Sequence, residues 1–453
     1  MYRITGAKCL VLFLCAATAL QAENSPNQNK DTVAETESDT DRDPGSASYK
    51  EIQRQEENYE VSPCSLKNPS DAVRCALKNA PGILEARARF QESRAAMDVA
   101  DNVPNPRLQG NYMFGKNSAE LEYRHIIEMG DRRDLRTDSA RAQARARALD
   151  WEIARQNTVL SVVMTLYQLE HLREEQRYLE ETIQAFNAAI YRLYRLPSRD
   201  ANQNTSLYTY IMARDSLRQQ KLDLLDRRNH LRRDLEVILG HPLEDKDLDR
   251  ISASHPESWP DLPGEYSRSL EIARVNQEVA RAAYEHRIES SRVWPDISIG
   301  PRLTVERSSE LLSGSKTESN VGLSFSITMP LYNQYSGSED RARAVEKHRQ
   351  IKKKATVRSI ESEYRYMVRS YREHVQGIKN NPSMRTLEGR RYAVLNYMRR
   401  GLLNPALLVE FHRSYGEHIH QFHAAQIRAL GMLWRSYALT GRILDDEVID
   451  SIR

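Results

Sequence analysis

The sequence NVGLSFSITMPLYN, residues 320–333, alternates strictly between apolar and small side chains from Val321 to Met329. Because successive side chains of a strand point to opposite faces, this pattern predicts a strand with two chemically different faces. Its apolar face would carry Val321, Leu323, Phe325, Ile327 and Met329, and its polar face Ser324, Ser326 and Thr328. Its length is close to the ~9–11 residues that a tilted strand needs to cross a bilayer. The same alternation is typical of a half-buried strand in a soluble sheet, so other parts of the sequence must distinguish the two.

The composition narrows the class of protein. The chain has 453 residues, 66 of them basic and 63 acidic, so its charge gives no argument for nucleic acid as a partner. Beyond the first two dozen residues no apolar run approaches the ~18 residues of a membrane helix, which excludes a helical membrane protein. A membrane β-barrel stays open, because its strands are short and alternating. The sequence contains no nucleophile elbow, phosphate loop or zinc-protease motif, so we predict no enzyme activity, no cofactor and no metal site.

The first residues resemble a secretory signal. Arg3 and Lys8 precede an apolar segment, Cys9 to Leu20, and a signal peptide over residues 1–22 is predicted. A retained membrane anchor is the alternative. Bulky residues before Cys15 argue against lipidation. Residues 23–65 form an acidic leader, poor in large apolar side chains and predicted to be disordered.

Two cysteines are left after removal of the signal, Cys64 and Cys75. Export would place them in an oxidising compartment, where a local disulfide across eleven residues is feasible. The sequence is compatible with the bonded and the free state. No histidine lies near them in the sequence, so they do not predict a zinc site.

The rest of the chain repeats one plan twice, which indicates an internal duplication. The predicted organisation is a first repeat at 66–250 with a β-hairpin at 105–128, a connector at 251–268, a second repeat at 269–441 with a β-hairpin at 296–330, and a tail at 442–453. In each repeat a helix precedes the hairpin, and a long helix and a return helix follow it. A polar loop at 307–319 is predicted inside the second hairpin.

The long helical segments have coiled-coil spacing. Residues 130–196 contain no internal glycine or proline, and apolar residues recur at intervals of four and three: Leu179, Ile183, Phe186, Ile190 and Leu193. Four strands per chain cannot close a membrane barrel, because the smallest bacterial barrels use eight. If these strands span a membrane, several chains must therefore share one barrel.

Several short blocks, in this order in a duplicated chain, resemble the TolC-type outer-membrane efflux proteins. The blocks are Asn105-Pro106, Ile127 to Arg133 with Arg136 and Ala140, Trp294 to Ile297, Ile327 to Asn333, and Gly337 with Ala342 to Ala344. The resemblance covers nearly the whole chain after the leader.

The resemblance implies a mixed α/β membrane protein of the cell outer membrane that extends into the periplasm. Its homotrimer would combine a twelve-stranded transmembrane β-barrel, in contact with outer-membrane lipid, with a long coiled-coil α-barrel. The implied function is a passive efflux duct that works with a periplasmic adaptor protein and an inner-membrane pump of the resistance-nodulation-division or ABC type. The alternatives are a type I secretion channel and, in a different class, a structural periplasmic coiled-coil protein.

The resemblance also implies sites for docking and gating. The adaptor would contact two helix-turn-helix tips, one with Arg195, Leu196 and Ser198, the other with Gly401, Leu402 and Asn404. Arg195 stands where the family usually has glycine. Glu410 occupies one of two positions where the family places acidic residues at the periplasmic mouth, and Leu407 occupies the other.

We interpret the clustered histidines and the basic segments as structural features and not as binding sites. The histidines of the last long segment, His412, His418, His420 and His423, are predicted to lie on a helix surface. The basic segments 132–147 and 341–354 are predicted to form the charged outer face of the tunnel near the membrane, and not a nucleic-acid interface.

Overall fold

The computed structural model describes residues 63–114, 117–256, 258–264, 266, 268–310, 314–382, 384–400 and 404–452. The predicted signal peptide (1–22), residues 23–62 of the predicted leader, and the tip residues Gly401 and Leu402 lie outside the described residues.

Several helices of the first half begin or end at a proline, a glycine or a capping side chain. The helices and strands of this half are α1 (Pro69–Asn79), α2 (Pro81–Asp101), β1 (Arg107–Met113), β2 (Ser118–Ile127), α3 (Arg132–Tyr194), α4 (Ala201–Leu239) and α5 (Asp245–Ile251). Asp200 and Gln203 form a capping box that satisfies free backbone N–H groups at the start of α4. Gly240 ends α4 with a left-handed backbone, φ 77°, which glycine adopts without steric cost.

The second half has a similar order of elements. It contains α6 (Leu270–Ser291), β3 (Asp296–Glu310), β4 (Gly314–Thr328), α7 (Ser336–Asn380), α8 (Met384–Arg399), α9 (Pro405–Leu439) and α10 (Asp446–Asp450). Asn381 and Pro382 separate α7 from α8. The predicted tail, 442–453, includes α10 and packs on the helices, with Ile443 and Ile449 at most 2% exposed.

The longest helix, α3, connects the two halves. Its 63 residues extend for about 95 Å. It packs against α2, α4, α6 and α9. Of the predicted coiled-coil positions, Leu179, Phe186 and Ile190 are buried, and Ile183 and Leu193 are half-buried. Among the described residues, we find no helix with the length and apolar character of a membrane span.

The main core lies between α1, α3, α4, α5 and α9 and the C-terminal segment, residues 443–452. Its fully buried side chains include Val162, Leu166, Leu239, Ile251 and Leu430. At the edge of this core, a disulfide joins Cys64 to Cys75. The segment before α1 is therefore covalently attached to the helix.

All four strands form one antiparallel sheet in the order β1-β2-β3-β4. The two hairpins are joined by β2 and β3, with Leu121 opposite Leu303. The predicted loop at 307–319 is wrong for most of its length, because β3 and β4 continue to Glu310 and from Gly314. Antiparallel pairing gives the backbone N–H and C=O groups their hydrogen bonds, whatever side chains the strands carry. The polar side chains on both faces of these strand ends therefore gave no alternation to detect.

Candidate functional site

One face of the sheet is apolar and exposed. The register places side chains of all four strands on it, as in the cross-strand pairs Leu303 with Val321 and Ile299 with Phe325. Val321 is 71% exposed, Leu323 81% and Phe325 63%. Other exposed residues of this face are Leu108, Tyr112, Leu121, Tyr123, Ile127 and Ile327. Met329, predicted to belong to the same face, follows β4 directly and is exposed. A continuous patch of this kind requires an apolar environment outside the chain.

The opposite face carries charges that are paired with one another. Arg124 Nη2 lies 2.7 Å from Glu122 Oε2. Arg302 Nε lies 2.8 Å from Glu120 Oε1, so this pair bridges β2 and β3. The Ser324 hydroxyl donates to the carbonyl of Gly300 over 3.1 Å. This face is compatible with water, and its charges largely cancel.

Below the sheet, the chain turns from strand β2 into helix α3 through two residues with left-handed backbone. Gly130 has φ 74° and Asp131 has φ 54°. A Cβ atom on Gly130 would lie 2.7 Å from Cδ1 of Trp294, so glycine is required both by the backbone and by this close contact. Trp294 belongs to the second half, so the turn also fixes the position of one half on the other.

Three arginines at the start of the first predicted basic segment stabilise this turn. Arg132 donates to the carbonyls of Met129 and Trp294 and lies 2.5 Å from Asp296 Oδ1. Its side chain is only 15% exposed. The prediction that residues 132–147 form an outer charged face is wrong for Arg132, because its guanidinium connects strand and helix.

The other two arginines make equivalent attachments. Arg136 binds the carboxylate of Glu128 through both terminal nitrogens, one of them at 2.9 Å. Arg133 Nε donates to the carbonyl of Asp101 over 2.8 Å and so connects α3 with the end of α2. Bidentate arginine–carboxylate pairs are geometrically specific, which suits a junction that must hold strands and helices at one angle.

The first helix tip ends without a left-handed residue. Arg195 has φ −81° and donates its backbone N–H to the carbonyls of Tyr191 and Arg192. Its guanidinium lies over the Tyr191 ring at 4.7 Å. Because the backbone at Arg195 is right-handed, this position does not require glycine. Arg195, Leu196 and Ser198 are all exposed.

The second tip is described only at its edges. Asn404 is exposed, and its side-chain oxygen accepts from the backbone N–H of Ala406 over 2.9 Å at the start of α9. Pro405 occupies the first helical position, where its missing N–H has no cost. Leu407, one turn further, is 64% exposed. Leu407 and Asn404 therefore face away from the core of their own chain.

Glu410 forms a salt bridge on its own helix. Its carboxylate accepts from Arg413 at 2.7 and 3.0 Å and from Ser414 at 3.2 Å. The hydrogen bonds from Arg413 lower the pKa of Glu410. The carboxylate is thus charged at neutral pH, and Arg413 offsets much of its field.

The last long helix contains two buried histidines whose burial the sequence prediction missed. His412 and His423 are each 3% exposed, so the prediction of surface histidines is wrong for these two. His420 is exposed, and His418 is half-buried. The sequence contained a signal for the burial of His412. This residue is in register with the apolar stripe of α9, three residues before Tyr415 and seven before Ile419.

His423 lies between two carboxylates of α3. Its Nε2 is 2.9 Å from Glu174 Oε2, and its Nδ1 is 3.4 Å from Glu175 Oε1. Burial alone would lower the pKa of His423, but the two carboxylates outweigh it and raise the pKa. The His171 ring stacks on His423 at 4.3 Å. Burial, together with the neighbouring His423, lowers the pKa of His171 to about 3.

Another histidine lies beside the cysteines. His241 Nε2 is 4.0 Å from the sulfur of Cys75, although 166 residues separate them. The cysteines therefore have a histidine beside them in the fold, although none lies near them in the sequence.

No protein-family model matches the sequence, and a comparison with curated proteins finds no relative. Solved structures, in contrast, are similar over most of their length. The CmeC outer membrane channel of Campylobacter jejuni has a TM-score of 0.67 at 13% identity, covering 95% of this chain and 98% of that one. A membrane protein of Pseudomonas aeruginosa has a TM-score of 0.64 at 14% identity, covering 82% and 89%.

A third similar structure is the open state of the MtrE outer membrane channel of Neisseria gonorrhoeae. Its TM-score is 0.62 at 14% identity, with 83% of this chain and 90% of that chain covered. Because the sequence identities are this low, the similarity shows the fold alone. The chain has the fold of the CmeC and MtrE outer membrane channels.

Proposed function

We propose that the protein is an outer-membrane channel subunit of a tripartite efflux system. One observation carries the proposal: a four-stranded sheet with one exposed apolar face and one ion-paired polar face continues into long helices, the longest of them about 95 Å. Lipid would cover Val321, Leu323, Phe325 and Ile327, and water would fill the side of Ser324, Ser326 and Thr328.

The sheet also supports a homotrimer. Four antiparallel strands are too few to enclose a lumen, whereas three chains would supply twelve. The long helices would then continue the duct through the periplasm as a shared α-barrel. The signal peptide at 1–22 would direct export, and duplication of one ancestral unit would explain the repeated order of elements.

The helix tips would bind a periplasmic adaptor coupled to an inner-membrane pump of the resistance-nodulation-division or ABC type. Arg195, Leu196 and Ser198 at the first tip, and Asn404 with Gly401 and Leu402 at the second, would supply the contacts. The exposed, non-core positions of Leu196 and Asn404 support this assignment. Glu410 would lie near the periplasmic mouth, where Arg413 would weaken its attraction for cations.

Purification from outer membranes in detergent tests the proposal. We expect a trimer that migrates more slowly than the single chain on a gel until heating dissociates it, and that conducts ions in planar bilayers. The matched variants Leu196→Asp and Leu222→Asp then separate docking from folding, since both replace exposed leucines but only Leu196 lies at a tip. We expect Leu196→Asp to reduce adaptor binding and drug efflux, with bilayer conductance unchanged.

A structural coiled-coil protein of the periplasm is the alternative of a different class. It would be released as a soluble monomer by osmotic shock and would show no conductance, and that result would refute the channel proposal. A type I secretion channel would share the trimer and the conductance. It would differ in that deletion of the gene abolishes export of a protein substrate and leaves drug resistance unchanged.

A further inference from the structure

Three potential metal ligands from distant parts of the chain meet at the edge of the main core. Cys64 precedes α1, Cys75 lies within α1, and His241 follows the last turn of α4. The two sulfurs and a ring nitrogen of His241 all lie within 4.8 Å of one another. Two cysteines and one histidine are a ligand set that zinc accepts, with a fourth position left to water.

The tautomer of His241 suits a ligand. Its Nδ1 lies 3.1 Å from the carbonyl oxygen of Pro242. A carbonyl only accepts hydrogen bonds, so Nδ1 carries the proton and Nε2 presents its lone pair. Nε2 is the nitrogen that lies 4.0 Å from Cys75 Sγ. Metal-binding histidines are commonly oriented in this way, by a hydrogen bond from the other ring nitrogen to a carbonyl.

The surroundings of the sulfurs also favour a bound cation. The amide of Asn79 donates to the carbonyl of Leu239 over 2.9 Å and lies 3.4 Å from Cys64 Sγ and 3.6 Å from Cys75 Sγ. An N–H donor of this kind stabilises a thiolate. Cys75 is buried, while Cys64 and His241 are half-buried, so the site is accessible to an ion.

We propose that Cys64, Cys75 and His241 form a redox-dependent site for a thiophilic divalent cation such as Zn²⁺. A dithiol reductant would transfer two electrons and two protons to the disulfide and would itself become a disulfide. Zn²⁺ would then displace the two thiol protons and bind both thiolates and His241 Nε2. Tetrahedral zinc places sulfur and nitrogen ligands about 3.5 Å apart, so only a small movement of the 4.0 Å pair is needed. The oxidised protein has no thiolate and would not bind.

The test uses the full-length protein in detergent, either oxidised or reduced with dithiothreitol and then desalted without oxygen. With Zn²⁺ as the probe, we expect about one ion per reduced chain by elemental analysis and none per oxidised chain. With Co²⁺, a thiolate-to-cobalt charge-transfer band should appear only after reduction. Equal metal content in the two forms would overturn the proposal.

Two variants separate the ligand role from the structural one. His241→Ala keeps both cysteines, and we expect about a tenfold or larger loss of Zn²⁺ affinity after reduction. His230→Ala removes an exposed histidine of α4 and should bind like the parent. Equal affinity of His241→Ala and the parent would remove His241 from the site. If reduction unfolds the protein, restoration of its circular dichroism by Zn²⁺ supports the proposal, and failure of Zn²⁺ to restore it counts against it.

Discussion

Gly300 lies against the backbone of Tyr123 so closely that a Cβ atom at this position would stand 1.7 Å from the Tyr123 carbonyl oxygen. The contact occurs where β3 meets β2, the only place where the two hairpins join within the described sheet. Glycine is therefore required here for space, and the joint between the hairpins depends on it.

We expect Gly300→Ala to separate β2 from β3 and to abolish assembly in the outer membrane. A backbone oxygen cannot move away as a flexible side chain would, so the cost should exceed the ~1–3 kcal/mol typical of overpacking. Heat-modifiable trimer in membrane extracts is the measurement. Gly322→Ala in β4 is the matched control, because a Cβ atom there meets nothing within 4 Å. Normal trimer from Gly300→Ala would show that the joint can relax.

A charge on the apolar face should prevent insertion. Phe325→Arg is expected to cost about 2–4 kcal/mol per chain if Phe325 lies near the bilayer midplane. Ser326→Arg places the same charge one residue away, on the opposite face, and should be tolerated. Membrane fractionation of the two variants is the measurement. Assembly of Phe325→Arg at the parental level would mean that the sheet faces are assigned the wrong way round.

The junction arginine should matter more than a surface arginine. Arg132→Ala removes a guanidinium that donates to two carbonyls and to Asp296, so we expect a loss of about 2 kcal/mol in unfolding free energy. Arg132→Lys should not restore it, since a lysine lacks the planar fork. Arg343→Ala, which breaks exposed pairs with Glu339 and Asp340, should cost at most about 0.5 kcal/mol. Equal thermal shifts for Arg132→Ala and Arg343→Ala would contradict this role.

Acid should destabilise the helical part through His171. Burial and His423 lower its pKa to about 3 in the folded protein, while an unfolded histidine titrates near ~6.5. The stability that neutral His171 contributes is present above the pKa of the unfolded chain. It is lost as the pH falls, because the unfolded chain binds the proton first. Between about pH 6.5 and about pH 5, protonation of His171 in the unfolded chain should lower the free energy of unfolding by about 2 kcal/mol.

Comparison of variants isolates this effect from the other titrating groups. The raised pKa of His423 acts with the opposite sign: it adds stability below the unfolded pKa that is lost as the pH rises. His171→Phe keeps an aromatic ring against His423 and removes the proton site, so its melting temperature should fall less than the parent's on acidification. His230→Phe, at an exposed position, should follow the parent. Parallel curves for all three proteins would show that His171 does not control acid stability.

The sequence predicted those features that leave a periodic or punctuated pattern. Val321 to Met329 alternates because its two faces meet different surroundings, so the strand and its faces were readable. The end of α4 and the start of α9 also leave a sequence signal, Gly240 and Pro405, since each residue supplies a backbone conformation that its position requires.

Features that depend on contacts between distant residues were not readable. The neighbours of His423 are carboxylates of α3, some 250 residues earlier, and no local pattern records which face of α9 meets them. The same holds for His241 beside Cys75. The sequence prediction did not include the polar ends of β3 and β4, because hydrogen bonds between backbones do not produce an alternation of apolar and polar side chains.

The two outer strands of the described sheet differ in length, with seven residues in β1 and fifteen in β4. Their outward backbone groups would need hydrogen-bond partners, which hydrocarbon does not supply. In the proposed trimer β1 of one chain would meet β4 of the next and cover about half of it. The uncovered half would rise with β3 as a two-stranded ribbon above the rim, on the cell exterior. A single chain also has two unpaired strand edges, so barrel closure would depend on the concentration of chains in the membrane.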